Sequence, residues 1–248
     1  MSTFRFKRFS VVNERSSMKV NTDGVLLGAA VSLCPADASV LDVGTGTGTI
    51  ALMLAQRYSK TGACPSVEGI DIDPASAEEA AANFAASPWS SVLSAQHCAL
   101  SGFRTEVRYD LIVSNPPYFV DSLLPPEQRR SLARHASEDS LTFAQLAEFA
   151  ASHLSDGGRL AVVLPYDNEA SVLRYAASFG LFLTRMIQIR TTPRKPVTRM
   201  IAEFSLKKPL QPVEEMLTIQ DPASYPDSPN GYTPDYIALT RDYYLYFP

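Results

Sequence analysis

The sequence predicts an α/β fold, a doubly wound and mostly parallel seven-stranded sheet with an antiparallel edge hairpin. Three observations predict it. Short β-rich runs alternate with helical runs along most of the chain. The first strand runs straight into a glycine loop that opens a helix. Two β-rich runs near the end have no helix between them, so they pair antiparallel.

The strands, in order, are SVLDV (39–43), SVEGIDI (66–72), VLSAQHC (92–98), YDLIVSN (109–115), GRLAVVLP (158–165), FLTRMIQIR (182–190) and RMIAEFSLK (199–207). Between the first six lie helical runs at 50–58, 75–86, 141–154 and 170–179. Asp73 caps the second of these, with Pro74 in its first turn, and Asp156-Gly157-Gly158 ends the third. DPASYPDSPNGYTP (221–234) holds four prolines and no periodicity, the composition of a surface loop. Length and a hydrophobic content of 46% suit one core, placed at 36–208 with extensions at 1–35 and 209–248.

A charged fraction of 19% and a net charge of -4 exclude a tail that binds polyanions by bulk charge, so any nucleic-acid site is a local basic patch. Cys34, Cys64 and Cys98 have neither disulfide-framework nor CxxC spacing and read as free, small buried hydrophobes in a reducing compartment. His97, His135 and His153 are too scattered for a metal triad, and His153, in a helical run, reads as structural. No run approaches the length of a membrane span and the start lacks a signal-peptide pattern, which makes the cytoplasm the default.

In SVLDVGTGTGTIALML, Gly44, Gly46 and Gly48 let the backbone turn tightly and approach a ligand, while the N–H groups at the helix start face it. A tight packing turn reads the same way. The next strand ends in Asp71, 23 residues beyond Gly48, where folds of this topology grip a ribose diol. Asp71 is therefore assigned the ribose and Asp73 the helix cap. A nicotinamide oxidoreductase is disfavoured, because GTGTG is not the dinucleotide fingerprint.

Asp42 completes the pattern DxGxGxG, which resembles the first motif of the class I S-adenosylmethionine-dependent methyltransferases, with their Rossmann-like sheet. The resemblance implies that Gly44, Thr45, Gly46 and Gly48 cradle the methionyl part of S-adenosyl-L-methionine, with Asp42 beneath. The acid that the family often carries after the third strand is replaced by Ala99, so adenine contacts must come from elsewhere.

DLIVSNPPYFV (110–120) ends a buried strand in an amide, two prolines and an aromatic ring. Methylating a conjugated nitrogen is difficult because its lone pair is delocalised. Acceptors that hold both N–H hydrogens help to pyramidalise it. The Asn115 side-chain oxygen and the Pro116 carbonyl supply two such acceptors, Tyr118 or Phe119 stacks on the planar group, and the prolines stiffen the turn. Asn115 thus borders cofactor and substrate together, and the chemistry needs no metal. Alone, the motif is an ordinary turn closing a strand. NPPY resembles the motif of methyltransferases that act on adenine N6, on guanine N2 of ribosomal RNA, or on a release-factor glutamine.

The basic N-terminus (Arg5, Lys7, Arg8, Arg15, Lys19), KVNTDGVLLG (19–28), ALMLAQR (51–57), ASPWSSV (86–92), TRMIAEFSLKK (198–208) and YIALTRDYYLYF (236–247) resemble the bacterial tRNA adenine N6-methyltransferases that modify valine tRNA beside the anticodon. That resemblance implies an enzyme acting on tRNA, with the segment from Lys19 to Gly24 closing over the cofactor and Thr22 and Asp23 lining the site; a monomer is expected. Phosphate contacts are expected from three basic clusters, Arg5, Lys7 and Arg8, then Arg129, Arg130 and Arg134, and the acid-free RTTPRKPVTR (190–199) with Arg190, Arg194, Lys195 and Arg199, and substrate contact also from Lys19. Ribosomal RNA and protein glutamine stay open as acceptors, as does a non-catalytic RNA-binding protein on the same fold.

Overall fold

The computed structural model describes residues 2–117 and 141–247. Ten strands are present: β1 (Thr3–Arg5), β2 (Ser10–Val12), β3 (Ser39–Val43), β4 (Ser66–Asp71), β5 (Leu93–His97), β6 (Tyr109–Ser114), β7 (Leu154–Pro165), β8 (Phe182–Arg190), β9 (Arg199–Ser205) and β10 (Val213–Thr218). The main described helices are α1 (Thr22–Ala30), α2 (Thr49–Thr61), α3 (Pro74–Ala85), α4 (Phe143–His153), α5 (Glu169–Ser178) and α6 (Pro234–Thr240). β1 and β2 form a separate hairpin, and the other strands make one sheet in the order β10-β8-β9-β7-β6-β3-β4-β5.

Only β9 runs against the rest, antiparallel to β7 and β8. The sheet has eight strands, one more than expected, because β10 adds parallel to β8 outside the hairpin. The hairpin is therefore not the edge. Four of the six residues of β10 are exposed, so VEEMLT carries no alternating pattern to mark it as a strand.

The inner strands are apolar without interruption because both faces of the sheet are covered. Val40, Leu111, Val113, Ala161 and Val163 join the core under α1, α2 and α3. Their neighbours Leu41, Val43, Ile112, Leu160 and Val162 join the core on the other face, with α4 and α5. Both flanking segments pack into the first of these cores: Phe6 and Phe9, 4.5 Å apart, lie with Tyr243 and Phe247, and Lys7 N–H donates to the Tyr243 carbonyl.

Asp156-Gly157-Gly158 does not end α4, which stops at His153. It lies within β7, where the register to β6 jumps from Tyr109↔Leu154 to Leu111↔Arg159. Gly158 is needed for close approach rather than for a cap, since a Cβ there would sit 2.6 Å from the Tyr109 carbonyl oxygen. The cysteines are not buried: Cys34 and Cys64 are exposed and Cys98 is half-buried, all three free. His153 is structural as expected, its Nδ1 3.0 Å from the Phe149 carbonyl and its ring stacked on Phe149.

Candidate active site

The glycine loop turns at Gly44, Gly46 and Gly48, all with positive φ. Two of these glycines border open space and one does not. Gly44 and Gly46 line a crevice, whereas a Cβ on Gly48 would meet the Phe84 ring at 2.4 Å. Gly48 packs against Phe84 and is not among the residues that line the crevice. Spacing alone cannot separate the two uses of glycine.

Beneath the loop, Asp42 is fully buried. Its Oδ2 accepts from the Thr45 hydroxyl (2.8 Å), while Oδ1 has no partner. Burial pushes this carboxyl up to about 7. Asp71, at the end of β4, accepts the Gly46 N–H on Oδ2 (2.8 Å) and the Asp73 N–H on Oδ1 (2.9 Å), and it too is raised, chiefly by burial. Asp73 is the cap expected of it, accepting from Ala75 and Ser76 N–H.

The crevice has two arms that meet at Gly44. One, about 490 Å³, is lined by Asp71, Ile72, Ala99, Leu100, Leu141 and Gln145 among others. Ala99 does sit there, so the polar groups of this arm are Asp71, Ser101 and Gln145. The other arm, about 330 Å³, runs between the glycine loop and a strap of chain containing Met18, Lys19, Val20 and Asn21, and it ends at Asn115.

Sequence reasoning missed what holds that strap. The buried Glu79 carboxylate accepts N–H groups of Glu14 and Arg15 on Oε1 and of Ser16 on Oε2, at 2.7 to 2.9 Å. Burial alone would raise Glu79, but these backbone donors outweigh it and leave its carboxyl below the usual range. Asn83, one turn further along α3, accepts from Val12 N–H and donates to the carbonyls of Val12 and Thr47. The signal was a pair of polar residues four apart on the packed face of α3. Lys19 lines the crevice, but its ammonium donates to the carbonyls of Asn13 and Glu14, so in this structure it staples the strap.

Asn115 follows the last residue of β6 and is buried. Its Nδ2 faces Asn21 Oδ1 (3.5 Å) and Met18 Sδ (3.6 Å), and its Oδ1 has no partner. Pro116 behind it is buried as well. Asn21 also caps α1, accepting the Gly24 N–H at 2.9 Å. Thr22 and Asp23, expected to line this site, do not: they line a separate groove beyond the start of α1, where Asp23 pairs with Arg199 at 2.9 Å. Residues three apart share a helix face and those between them turn away, so Asn21 and Gly24 take the place assigned to Thr22 and Asp23.

Tyr118, Phe119, Arg129, Arg130, Arg134 and His135 lie outside the described residues. Of the remaining cations, Arg194 and Lys195 are exposed on the β8–β9 loop, at the same sheet edge as Asn115. Arg8 instead lies over Trp89, 5.4 Å from the ring centroid, in the loop that enters β5 at the opposite edge. Among the described residues no group of three His, Cys, Asp or Glu is placed to hold a metal ion, and no helix is long and apolar enough to cross a membrane.

The model of the methyltransferase small domain matches residues 25–180. A protein of Bacteroides fragilis named tRNA1(Val) (adenine(37)-N6)-methyltransferase is 40% identical over 245 residues, 98% of this chain and 97% of its own. A protein of the same name from Flavobacterium johnsoniae is 37% identical over 98% of this chain and 99% of its own. Among solved structures, one from Agrobacterium tumefaciens, named as a predicted O-methyltransferase, superposes with a TM-score of 0.62 at 16% identity, covering 89% of this chain and 96% of its own. A TehB-like S-adenosylmethionine-dependent methyltransferase from Corynebacterium glutamicum superposes with a TM-score of 0.50 at 19% identity, covering 76% of this chain and 90% of its own. The structural likenesses show the fold. The sequence likeness extends over nearly the whole length of both chains, and by it this chain belongs to the tRNA1(Val) (adenine(37)-N6)-methyltransferase family.

Proposed function

We propose that this chain transfers a methyl group from S-adenosyl-L-methionine to the exocyclic N6 of adenine 37 in a valine tRNA. The observation that carries the reading is the buried Asn115 carboxamide, whose unpartnered oxygen stands at the end of the crevice formed by the glycine loop and the strap. The names of the full-length relatives favour tRNA over ribosomal RNA or a protein glutamine as the acceptor.

The residues present fit the cofactor. A buried, unpartnered Asp42 oxygen beneath a loop that turns without a Cβ at Gly44 and Gly46 suits a cationic amino-acid moiety, and the arm beyond Asp71 has an apolar wall (Ile72, Leu100, Leu141) for a purine. When bound, S-adenosyl-L-methionine supplies a methyl group activated on a sulfonium. The chain's own part is to hold and orient. Backbone at Gly44 to Gly46 would hold the methionyl group, and Asp71, each of whose oxygens keeps further acceptor capacity, the ribose. Asn115 Oδ1 and the Pro116 carbonyl accept the two N–H hydrogens of the adenine amine and draw its lone pair out of conjugation. Alignment of amine, methyl and sulfur is worth roughly 7 to 11 kcal/mol.

Asn115→Ala tests this reading. Turnover should fall by about 100-fold or more, the usual cost of removing one preorganised polar group at a reacting centre. Cofactor affinity measured by calorimetry should stay within a few-fold. Near-normal turnover would sink the mechanism.

A further inference from the structure

The edge of the sheet that carries the crevice continues past it. β8 and β10 end, and β9 begins, at that same edge, and β8 stands three strand spacings from β6, about 14 Å. There the start of α1 divides two concavities. On one side Asn21 and Gly24 face Asn115, and on the other lies a groove of about 1000 Å³.

This groove has an apolar floor (Leu26, Ile189, Ile219) and a rim of hydrogen-bonding side chains: Thr191, Thr198, Gln220 and the half-buried Tyr232. The acid that lines it, Asp23, is neutralised by its ion pair with Arg199. Exposed Arg194 and Lys195 stand on the loop that joins two of its walls. β8, β9, β10 and the C-terminal residues that build it all lie outside residues 25–180, the part shared with methyltransferases at large. A general cofactor-binding role does not require these walls.

An adenine that reaches the buried Asn115 has left its stack, and its neighbours in the strand lose a stacking partner at the same moment. A protein that accepts the target base gains by holding a neighbouring one. We propose that this groove holds a nucleotide flanking the methylated adenine, its base on the apolar floor, its polar edge met by Gln220 and Thr198, and its phosphate turned toward Arg194 and Lys195. The proposal rests on the tRNA reading above.

The test uses the full-length protein and anticodon stem-loop RNAs of valine tRNA, intact or with an abasic site on the 5′ or the 3′ side of adenine 37. Affinity is read by fluorescence anisotropy and methylation by incorporated label. Thr198→Trp and, independently, Thr191→Trp fill the groove from exposed positions on its rim. One of the two abasic RNAs should bind the wild-type protein about tenfold more weakly than the intact RNA, the scale of one lost base contact. The filled variants, with unchanged melting temperature and cofactor affinity, should bind that abasic RNA and the intact RNA alike. If a folded filled variant discriminates between them as the wild type does, the groove is not the subsite, and a protein partner becomes the occupant to seek. If wild-type protein methylates no adenine in the intact RNA, the tRNA reading itself has failed and this one falls with it.

Discussion

Two of the three buried side-chain atoms that lack a hydrogen-bond partner among the described residues, Asp42 Oδ1 and Asn115 Oδ1, belong to the site. Each costs about 1 to 3 kcal/mol in the ligand-free fold. Such atoms persist where a ligand satisfies them. Between the ordinary 3.8 and about 7, folded Asp42 keeps a proton that the unfolded chain has lost, so its contribution to stability falls as pH rises, by about 1.4 kcal/mol per unit. Asp42→Asn should therefore flatten the decline in melting temperature of the ligand-free protein between pH 4 and 7. The same change should weaken cofactor binding about tenfold, the loss of one charge-assisted contact. An unchanged pH slope would show that Asp42 is ionised throughout. Asn21 offers a second residue-scale prediction. Asn21→Ser keeps an acceptor for the Gly24 N–H but is too short for the Asn115 amide, so kcat should drop about tenfold with both KM values unchanged. An unaltered kcat would mean that Asn115 orients itself without Asn21. Asp42, Gly46 and Asn115 were legible in the sequence because their motif states the backbone geometry along with the chemistry. Asn21 was not, since a helix cap near the site reads like any other cap.

At the scale of elements, one carboxylate holds three consecutive N–H groups at the root of the strap. Glu79→Ala leaves the N–H groups of residues 14 to 16 without their acceptor and should cost about 2 to 3 kcal/mol in denaturant unfolding, as for hydrogen bonds to a charged group. It should also raise KM for the cofactor, because the strap forms one wall of the crevice. A loss of stability without a change in KM would reduce Glu79 to a purely structural anchor. The parallel strands were readable because burial on both faces leaves them apolar throughout. β10 was not, since it stands at the edge with most of its side chains in water, and its pairing with β8 comes from backbone geometry that no pattern of apolar residues records.

At the scale of the whole molecule, one edge of one sheet carries everything the reaction needs. β3, β4 and β6 end there in the glycine loop, Asp71 and Asn115, and β8 and β10 extend the same edge into the groove. Neighbouring parallel strands that end together bring residues 42 to 46, 71 and 115 to one place, which is why a topology read from strand and helix alternation predicted their meeting. The N-terminal hairpin and the C-terminal residues join one core, β2 tied to α3 through Asn83 and Tyr243 to α2 through the Met53 carbonyl, so these two flanks support the strap and the groove together. The distribution of cations was beyond sequence reasoning. Arg8 and Lys195 look equivalent as letters and lie at opposite edges of the sheet. The most direct measurement is incubation of the purified protein with labelled S-adenosyl-L-methionine and tRNA lacking its own modification, followed by nucleoside chromatography. The expected result is label in N6-methyladenosine, confined to valine tRNA. Cofactor binding with no label in any tRNA adenine would contradict it.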